Sequence, residues 1–147
     1  MKGVVHMSKK KINKFSYIIS AVVLLCSTIF VLVLYLMINK ETEIILNDQS
    51  FEVKGLYGAT YSYNDITMIE LKNTLPKVIS KTNGADWGHV KKGFFDVTGL
   101  GNCKLYVLTN NGPYLYLKTK DNYVIINYTD KNKTNNLYNN LLKYLQN

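Results

Sequence analysis

Hydrophobic and polar positions follow three different patterns along the chain. Residues 15–38 are an apolar run without a charge, a proline or a glycine. From Thr42 onward apolar and polar residues alternate in short runs, which predicts β-strands. Near the end the spacing becomes that of one helical face, shared by Leu137, Tyr138, Leu141, Leu142 and Leu145. The pattern therefore predicts an apolar helix, then a β-rich domain, then a terminal amphipathic helix.

The apolar run is long enough to cross a bilayer. As a helix, residues 15–38 span about 36 Å, and the hydrocarbon core of a membrane is about 30 Å thick. A cleaved signal peptide has a shorter apolar core followed by small residues, whereas this run ends at Tyr35-Leu-Met-Ile-Asn-Lys40. A lipoprotein signal places a cysteine near the end of the run, but Cys26 lies in its middle. We predict an uncleaved, single-pass transmembrane helix over residues 15–38.

Charge is distributed unevenly around this helix. The chain has 18 basic residues, all of them lysines, against 10 acidic ones. Five lysines precede the helix within residues 1–14, which contain no acid. Because basic flanks remain in the cytoplasm, residues 1–14 are predicted to be a cytoplasmic tail. The protein is then expected in the cell membrane, with its C-terminal domain extracytoplasmic. A nucleic-acid role is not expected, because no aromatic stacking platform accompanies the lysines.

The remaining chain is predicted to form about seven short antiparallel strands closed by one helix. Residues 39–50 are read as a linker and first strand, and residues 51–147 as the main domain. Within it, residues 72–88 are expected to be an irregular loop, because they contain a proline and three further turn-type positions. Asn110-Asn111-Gly112 is a hairpin signal between two strands. A bent sheet or open β-barrel, capped by the amphipathic helix, is the expected fold.

Residues with catalytic or metal-binding chemistry are few. Outside the apolar run and its flank, the chain has one histidine, His89, and one cysteine, Cys103. Cys103 alternates with Leu105 and Val107, which predicts a buried side chain. A Cys103–His89 nucleophile pair stays open, although no third member supports it. We therefore expect no enzyme, no metal site and no cofactor.

One group of charges is a candidate binding surface. Four lysines surround the glycine- and asparagine-rich segment that is read as a loop: Lys77, Lys81, Lys91 and Lys92. Such a group could bind an anionic lipid headgroup, a polymer or a protein partner. It could equally be a solvated basic rim without a ligand. Salt dependence separates a lysine-borne ligand from an apolar contact at a strand edge.

The chain from Gly55 to Leu145 resembles bacterial pleckstrin-homology-like (PH-like) domains, particularly those of small membrane proteins from low-GC Gram-positive bacteria. The order of elements, strands first and one C-terminal helix last, is that of the PH fold. The matching segments are Tyr61–Ile66, Ile69–Leu71, Leu75–Lys77, Lys81–Gly84, Lys91–Phe95, Gly99–Gly101, Gly112–Tyr116, Ile125–Asn127 and the helix containing Lys133, Leu137 and Leu141.

The resemblance implies a binding module and leaves its ligand open, since the fold hosts lipid, peptide and protein binding. Members that bind inositol phosphates use a basic first hairpin. Here that region has Lys54 beside Glu52, Gly55 and Tyr57, without a basic cluster. We therefore expect a membrane-anchored, non-enzymatic interaction module that binds a protein partner or assembles with itself. The alternative is a sensor that binds an anion or lipid headgroup at the four lysines.

Overall fold

The computed structural model describes residues 14–146, and the chain divides into two compact units after Leu36. The first of these ends within an apolar helix, α1, over Lys14–Asn39. The second contains all the β-strands and a C-terminal helix. The predicted basic tail, residues 1–14, lies outside the described residues except for Lys14.

Helix α1 is apolar on every side. From Lys14 to Met37 every residue is exposed. Its hydroxyl side chains return to the helix backbone: Ser20 donates to the carbonyl of Ser16 (2.9 Å), and Thr28 donates to that of Leu25 (2.8 Å). The helix is therefore long and apolar enough to span a membrane. An apolar helix near the N-terminus is also a property of signal sequences.

The second unit is built from two β-sheets. A three-stranded sheet contains, in spatial order, β1 (Ile44–Leu46), β2 (Ser50–Val53) and β3 (Ala59–Ser62). After a 3₁₀ turn over Tyr63–Asp65, the chain enters a six-stranded sheet of order β4-β8-β9-β7-β6-β5. Its strands are β4 (Ile66–Lys72), β5 (Val78–Trp87), β6 (Val90–Val97), β7 (Gly101–Val107), β8 (Tyr114–Thr119) and β9 (Tyr123–Asn127).

Each strand of the central part of the larger sheet contributes to two cores, because successive side chains point to opposite faces. On β7, Cys103, Leu105 and Val107 belong to one core, and Tyr106 belongs to the other. The core that contains Tyr106 also includes Phe51 of the small sheet. The predicted burial of Cys103 is confirmed, with 0% of its surface exposed.

The C-terminal helix, α2, covers Lys131–Leu145 and confirms the predicted amphipathic helix. Asp130 caps it, because its carboxylate accepts from the backbone N–H of Asn132 at 2.9 Å. Leu137 and Leu141 are buried in the same core as Phe51. The buried hydroxyl of Thr134 accepts from the N–H of Tyr128 at 3.0 Å, which joins α2 to the end of β9.

The mainly β architecture with a terminal helix is confirmed, and the structure makes three of its details more specific. The described residues form two sheets and no closed β-barrel, since β4 and β5 are edges of the larger sheet. Residues 14–146 contain nine strands, where the sequence indicated about seven. One pairing is parallel: β7 runs alongside β9 in the same direction, with Leu105 opposite Ile125.

The predicted loop over residues 72–88 is largely the ten-residue strand β5. It pairs with β6 along its whole length, with Gly84 opposite Gly93. Its sequence carries no strand signal because most of its side chains are exposed. Two register shifts interrupt the pairing, between Val78 and Ser80 and between Lys81 and Asn83. The strand therefore exists through its backbone bonds to β6 rather than through a buried face.

The predicted hairpin at Asn110-Asn111-Gly112 is also wrong, since β7 and β8 are not neighbours. Buried Asn127 holds this connection to β9. Its carbonyl oxygen accepts from the N–H of Leu108 (2.9 Å), and its amide donates to the carbonyls of Thr109 (2.9 Å) and Asn111 (3.3 Å). The segment therefore connects β7 to β8, which are not neighbours in the sheet, and β9 lies between these two strands.

Candidate functional site

The four predicted site lysines lie on or beside the β5–β6 hairpin rather than on a loop. Lys77 precedes β5, and Lys81 lies within it opposite Phe95; both are exposed. The carbonyl of Lys77 accepts from the backbone N–H and the hydroxyl of Thr98, at 2.9 and 3.0 Å. Within residues 14–146 the side chains of Lys77 and Lys81 form no ion pair, whereas their backbones are held by the hairpin.

Lys91 and Lys92 are adjacent on β6 and point to opposite faces of the sheet. The ammonium of Lys91 pairs with the carboxylate of Asp86 at 2.6 Å. Lys92 is only 4% exposed, and its ammonium donates to the carbonyl of Lys40 at 2.5 Å. Burial lowers the pKa of Lys92. Both cations therefore already have partners within the domain.

The structure does not gather these lysines into one cluster. Lys91 is four residues along β6 from the position opposite Lys81, which is about 13 Å, and Lys77 lies further along the hairpin. Exposed lysines and register shifts on an edge strand are also a common means of preventing edge-to-edge association. A ligand for Lys77, Lys81, Lys91 and Lys92 stays a prediction.

His89 and Cys103 do not form a nucleophile pair. His89 is exposed in the turn between β5 and β6, whereas Cys103 is buried opposite Phe95, six residues and about 20 Å along β6. Burial raises the pKa of the Cys103 thiol to about 11, and the charge of Asp96 adds to this shift. The thiolate needed for nucleophilic chemistry is therefore scarce at neutral pH. Among the described residues, no group of three or more His, Cys, Asp or Glu side chains is placed to hold a metal.

The free edge of the small sheet is a more specific feature. Among residues 14–146, strand β1 pairs only with β2. The carbonyl of Glu43 accepts from Lys54 at 2.8 Å, and the N–H of Asn47 donates to Ser50 at 2.9 Å. Because antiparallel bonding alternates along a strand, the backbone groups of Ile44 and Leu46 point away from β2. They are donors and acceptors without a strand partner.

These backbone groups border a groove of about 320 Å³ between β1 and α2. Thr42 and Tyr128 form one end of it, where the tyrosine hydroxyl donates to the threonine carbonyl at 2.8 Å. An ion pair between Glu41 and Lys133 (2.6 Å) links the two walls. The groove is lined by Ile44, Leu46 and Leu137 as apolar members, and by the exposed side chains of Asn136 and Asn140 from α2. It therefore combines a strand edge, an apolar floor and amide groups.

A second feature is a buried cation on β7. Lys104 is 8% exposed, and its ammonium lies 5.0 Å from the ring centre of Phe94, 5.8 Å from that of Tyr106 and 6.0 Å from that of Tyr61. Burial lowers the pKa of Lys104 and raises that of Tyr61. Ring faces attract such a cation by about 2 kcal/mol when it is desolvated, whereas burying an ion costs several kcal/mol.

Sequence reasoning missed both features. The run containing Ile44–Leu46 indicated a strand, but nothing in it showed that α2 would lie beside the free edge. In the sequence Lys104 simply alternates with Cys103 and Leu105, and this pattern does not indicate a buried lysine. Its burial follows from the aromatic residues on β3 and β6, which the sequence separates by more than thirty positions. The one sequence feature that could have indicated this burial is that Lys104 lies in an alternating strand among aromatic and aliphatic residues.

Comparison with known families gives one match. The model of the family described as "Bacterial PH domain" matches residues 42–140, which is more than half of the chain and includes both sheets and most of α2. No curated protein and no solved structure matches the chain significantly.

Proposed function

Because the chain belongs to the bacterial PH domain family, we propose that its domain is a non-enzymatic interaction module. An extended segment of a protein partner binds along β1, in the groove against α2. The free backbone groups of Ile44 and Leu46 carry this proposal. They offer hydrogen bonds to an added strand, which is a common mode of peptide recognition.

The groove supplies what an added strand needs besides a backbone edge. Side chains of an extended segment alternate, so one set meets the apolar floor formed by Leu46 and Leu137 and the other faces solvent. The amides of Asn136 and Asn140 can donate to and accept from the segment's polar groups. The β5 edge is longer, but its register shifts and its exposed lysine make it less suitable for strand addition.

The proposal includes membrane anchoring by α1, with the domain outside the cytoplasm. The support is the apolar surface of the helix, which is exposed from Lys14 to Met37, and the lysine excess in residues 1–14. Anchoring restricts the domain to a layer near the membrane, so even a weak strand-edge contact gains from the high local concentration of partners held in the same membrane.

Photocrosslinking in intact membranes tests the groove. A photoreactive phenylalanine derivative replaces Asn140, which lines the groove, and in a second protein it replaces Asn139, which is exposed on the same helix but does not line it. We expect an adduct from position 140 and little from position 139. Copies carrying two different tags separate self-assembly from a distinct partner. Equal yields at both positions would contradict the proposal.

A backbone variant sharpens this test. Ile44→Pro removes an N–H that β1 does not use for pairing with β2, whereas Ile44→Ala removes the side chain and keeps that donor. We expect the proline variant to lose the adduct formed at Asn140 and the alanine variant to retain more of it. Retention in the proline variant, or equal loss in both, argues against strand addition.

Cysteine labelling tests the orientation. Asn139→Cys, outside the groove, is introduced in a Cys26→Ser background, and Cys103 stays because it is buried and protonated. A membrane-impermeant maleimide should label Asn139→Cys in intact cells. Labelling only after lysis would place the domain in the cytoplasm.

A further inference from the structure

A cleft of about 210 Å³ lies on the opposite side of the small sheet from the β1 edge. It is lined by β3, by Phe94 and Lys104 of the larger sheet, and by the β8–β9 turn. It adjoins a second depression of about 410 Å³, with which it shares Thr119, Asp121 and Asn122. The volume suits a small ligand or the end of a larger one.

Lys104 distinguishes this cleft from an ordinary surface depression. Its side chain is buried, and among the described residues its ammonium lies against three aromatic rings and contacts no carboxylate or carbonyl. Buried Lys92 differs, because its ammonium donates to the carbonyl of Lys40. Ring faces attract a cation but are poor acceptors for its N–H groups. The ammonium of Lys104 therefore lacks strong hydrogen-bond acceptors in a site that a ligand can reach.

We propose that this cleft binds a small oxyanion, a phosphate or carboxylate group, on the ammonium of Lys104. The group is either a free ion or part of a lipid headgroup. A charge-assisted hydrogen bond from an ammonium to an oxyanion is shorter and stronger than one between neutral groups.

Other side chains around the cleft fit this ligand. The hydroxyls of Thr60 and Ser62 and the amide of Asn122 provide further donors. Asp65 also lines the cleft, but its carboxylate is paired with Lys120 at 2.5 Å. Asp121 also lines the cleft, and although its carboxylate repels an anion, it is exposed to solvent in the β8–β9 turn.

Titration of the full-length protein in detergent micelles tests the proposal. Sodium phosphate, sodium acetate and short-chain phosphatidylglycerol are added separately at constant ionic strength, with chloride as the reference. We expect at least one of the three to raise the melting temperature with saturation, since a ligand that binds only the folded state stabilises it. A response to phosphate or acetate indicates a free ion, and a response to the lipid alone indicates a headgroup.

Two variants locate the site. Lys104→Met removes the charge and should weaken binding about tenfold or more, while Lys118→Met, in the neighbouring depression, should not. If Lys104→Met fails to fold, Thr60→Glu places a carboxylate at the exposed wall of the cleft and should abolish binding, with Asn139→Glu as its matched charge control. No saturable response to any of the three anions, or equal binding by all variants, overturns the proposal.

Discussion

The hairpins β5–β6 and β8–β9 are antiparallel pairs of one sheet but are stabilised differently. Strands β8 and β9 are buried along nearly their whole length, between the two cores. Strand β5 is mostly exposed and forms an edge. The central hairpin therefore depends on apolar burial, and the edge hairpin depends on backbone geometry. Four predictions separate these two sources of stability.

The largest effect is expected where α2 closes the core of the β8–β9 hairpin. Leu141 is fully buried there, so Leu141→Ala leaves a cavity and should lower the free energy of unfolding by about 2–5 kcal/mol. Asn140→Ala, at an exposed neighbouring position, should change it by less than about 0.5 kcal/mol. Urea denaturation of the full-length protein measures both. Similar small losses would mean that α2 does not seal this core.

Gly93→Ala should damage the edge hairpin instead. Gly93 has φ +116°, and an added Cβ would lie 2.6 Å from the Cα of Gly84 and closer still to the carbonyl of Asn83. We expect a loss of about 2–3 kcal/mol, against about 1 kcal/mol for Gly88→Ala, which has φ +60° but open space around it.

Hydrogen exchange locates the Gly93→Ala effect. Amides of β5 and β6 should exchange faster while those of β8 and β9 keep their protection. Uniform loss of protection across the sheet would show that the two hairpins unfold as one unit.

Alkaline pH should weaken the central hairpin through its tyrosines. Burial, with a smaller effect of Tyr114, raises the pKa of Tyr116 to about 12. Between the unfolded pKa of about 10 and this value only the unfolded state ionises, so stability present below pH 10 is lost as pH rises, by about 1.4 kcal/mol per pH unit. Denaturation midpoints from pH 9 to 12 measure the slope. Tyr116→Phe should reduce it, and an unchanged slope would assign alkaline unfolding to other groups.

The smallest effect is expected from charges on the edge hairpin. Lys91 and Asp86 form an ion pair at the surface, so Asp86→Asn should cost less than about 1 kcal/mol. Lys77→Gln and Lys81→Gln should change stability by less than about 0.5 kcal/mol, because both side chains are exposed.

Substitution of all four lysines on or beside this hairpin tests binding. If Lys77, Lys81, Lys91 and Lys92 hold an anionic ligand, changing all four to Gln should weaken its capture most at low salt. Unchanged capture of anionic vesicles, with stability intact, would leave the cleft at Lys104 as the better candidate for anion binding.

Local pattern by itself determined the elements whose burial is visible in the sequence. The continuous apolar run gave α1, the leucine stripe gave α2, and the alternation around Cys103 gave the two faces of β7. In each case a side chain's environment follows from its position on one element, since period and polarity report which face is buried. The family match covers residues 42–140, which include all nine strands of the described residues and most of α2.

Only the tertiary structure decided which elements meet. Strand β5 has no buried face, so its sequence shows no strand pattern. It forms because its backbone pairs with that of β6. The segment Asn110–Gly112, predicted to be a hairpin turn, instead connects two strands that are not neighbours. Asn127 holds this connection by hydrogen bonds, and β7 pairs in parallel with β9. The groove at β1 and the aromatic surroundings of Lys104 likewise join segments far apart in the chain. Such long-range pairings depend on the summed packing of several elements, and no local period encodes them.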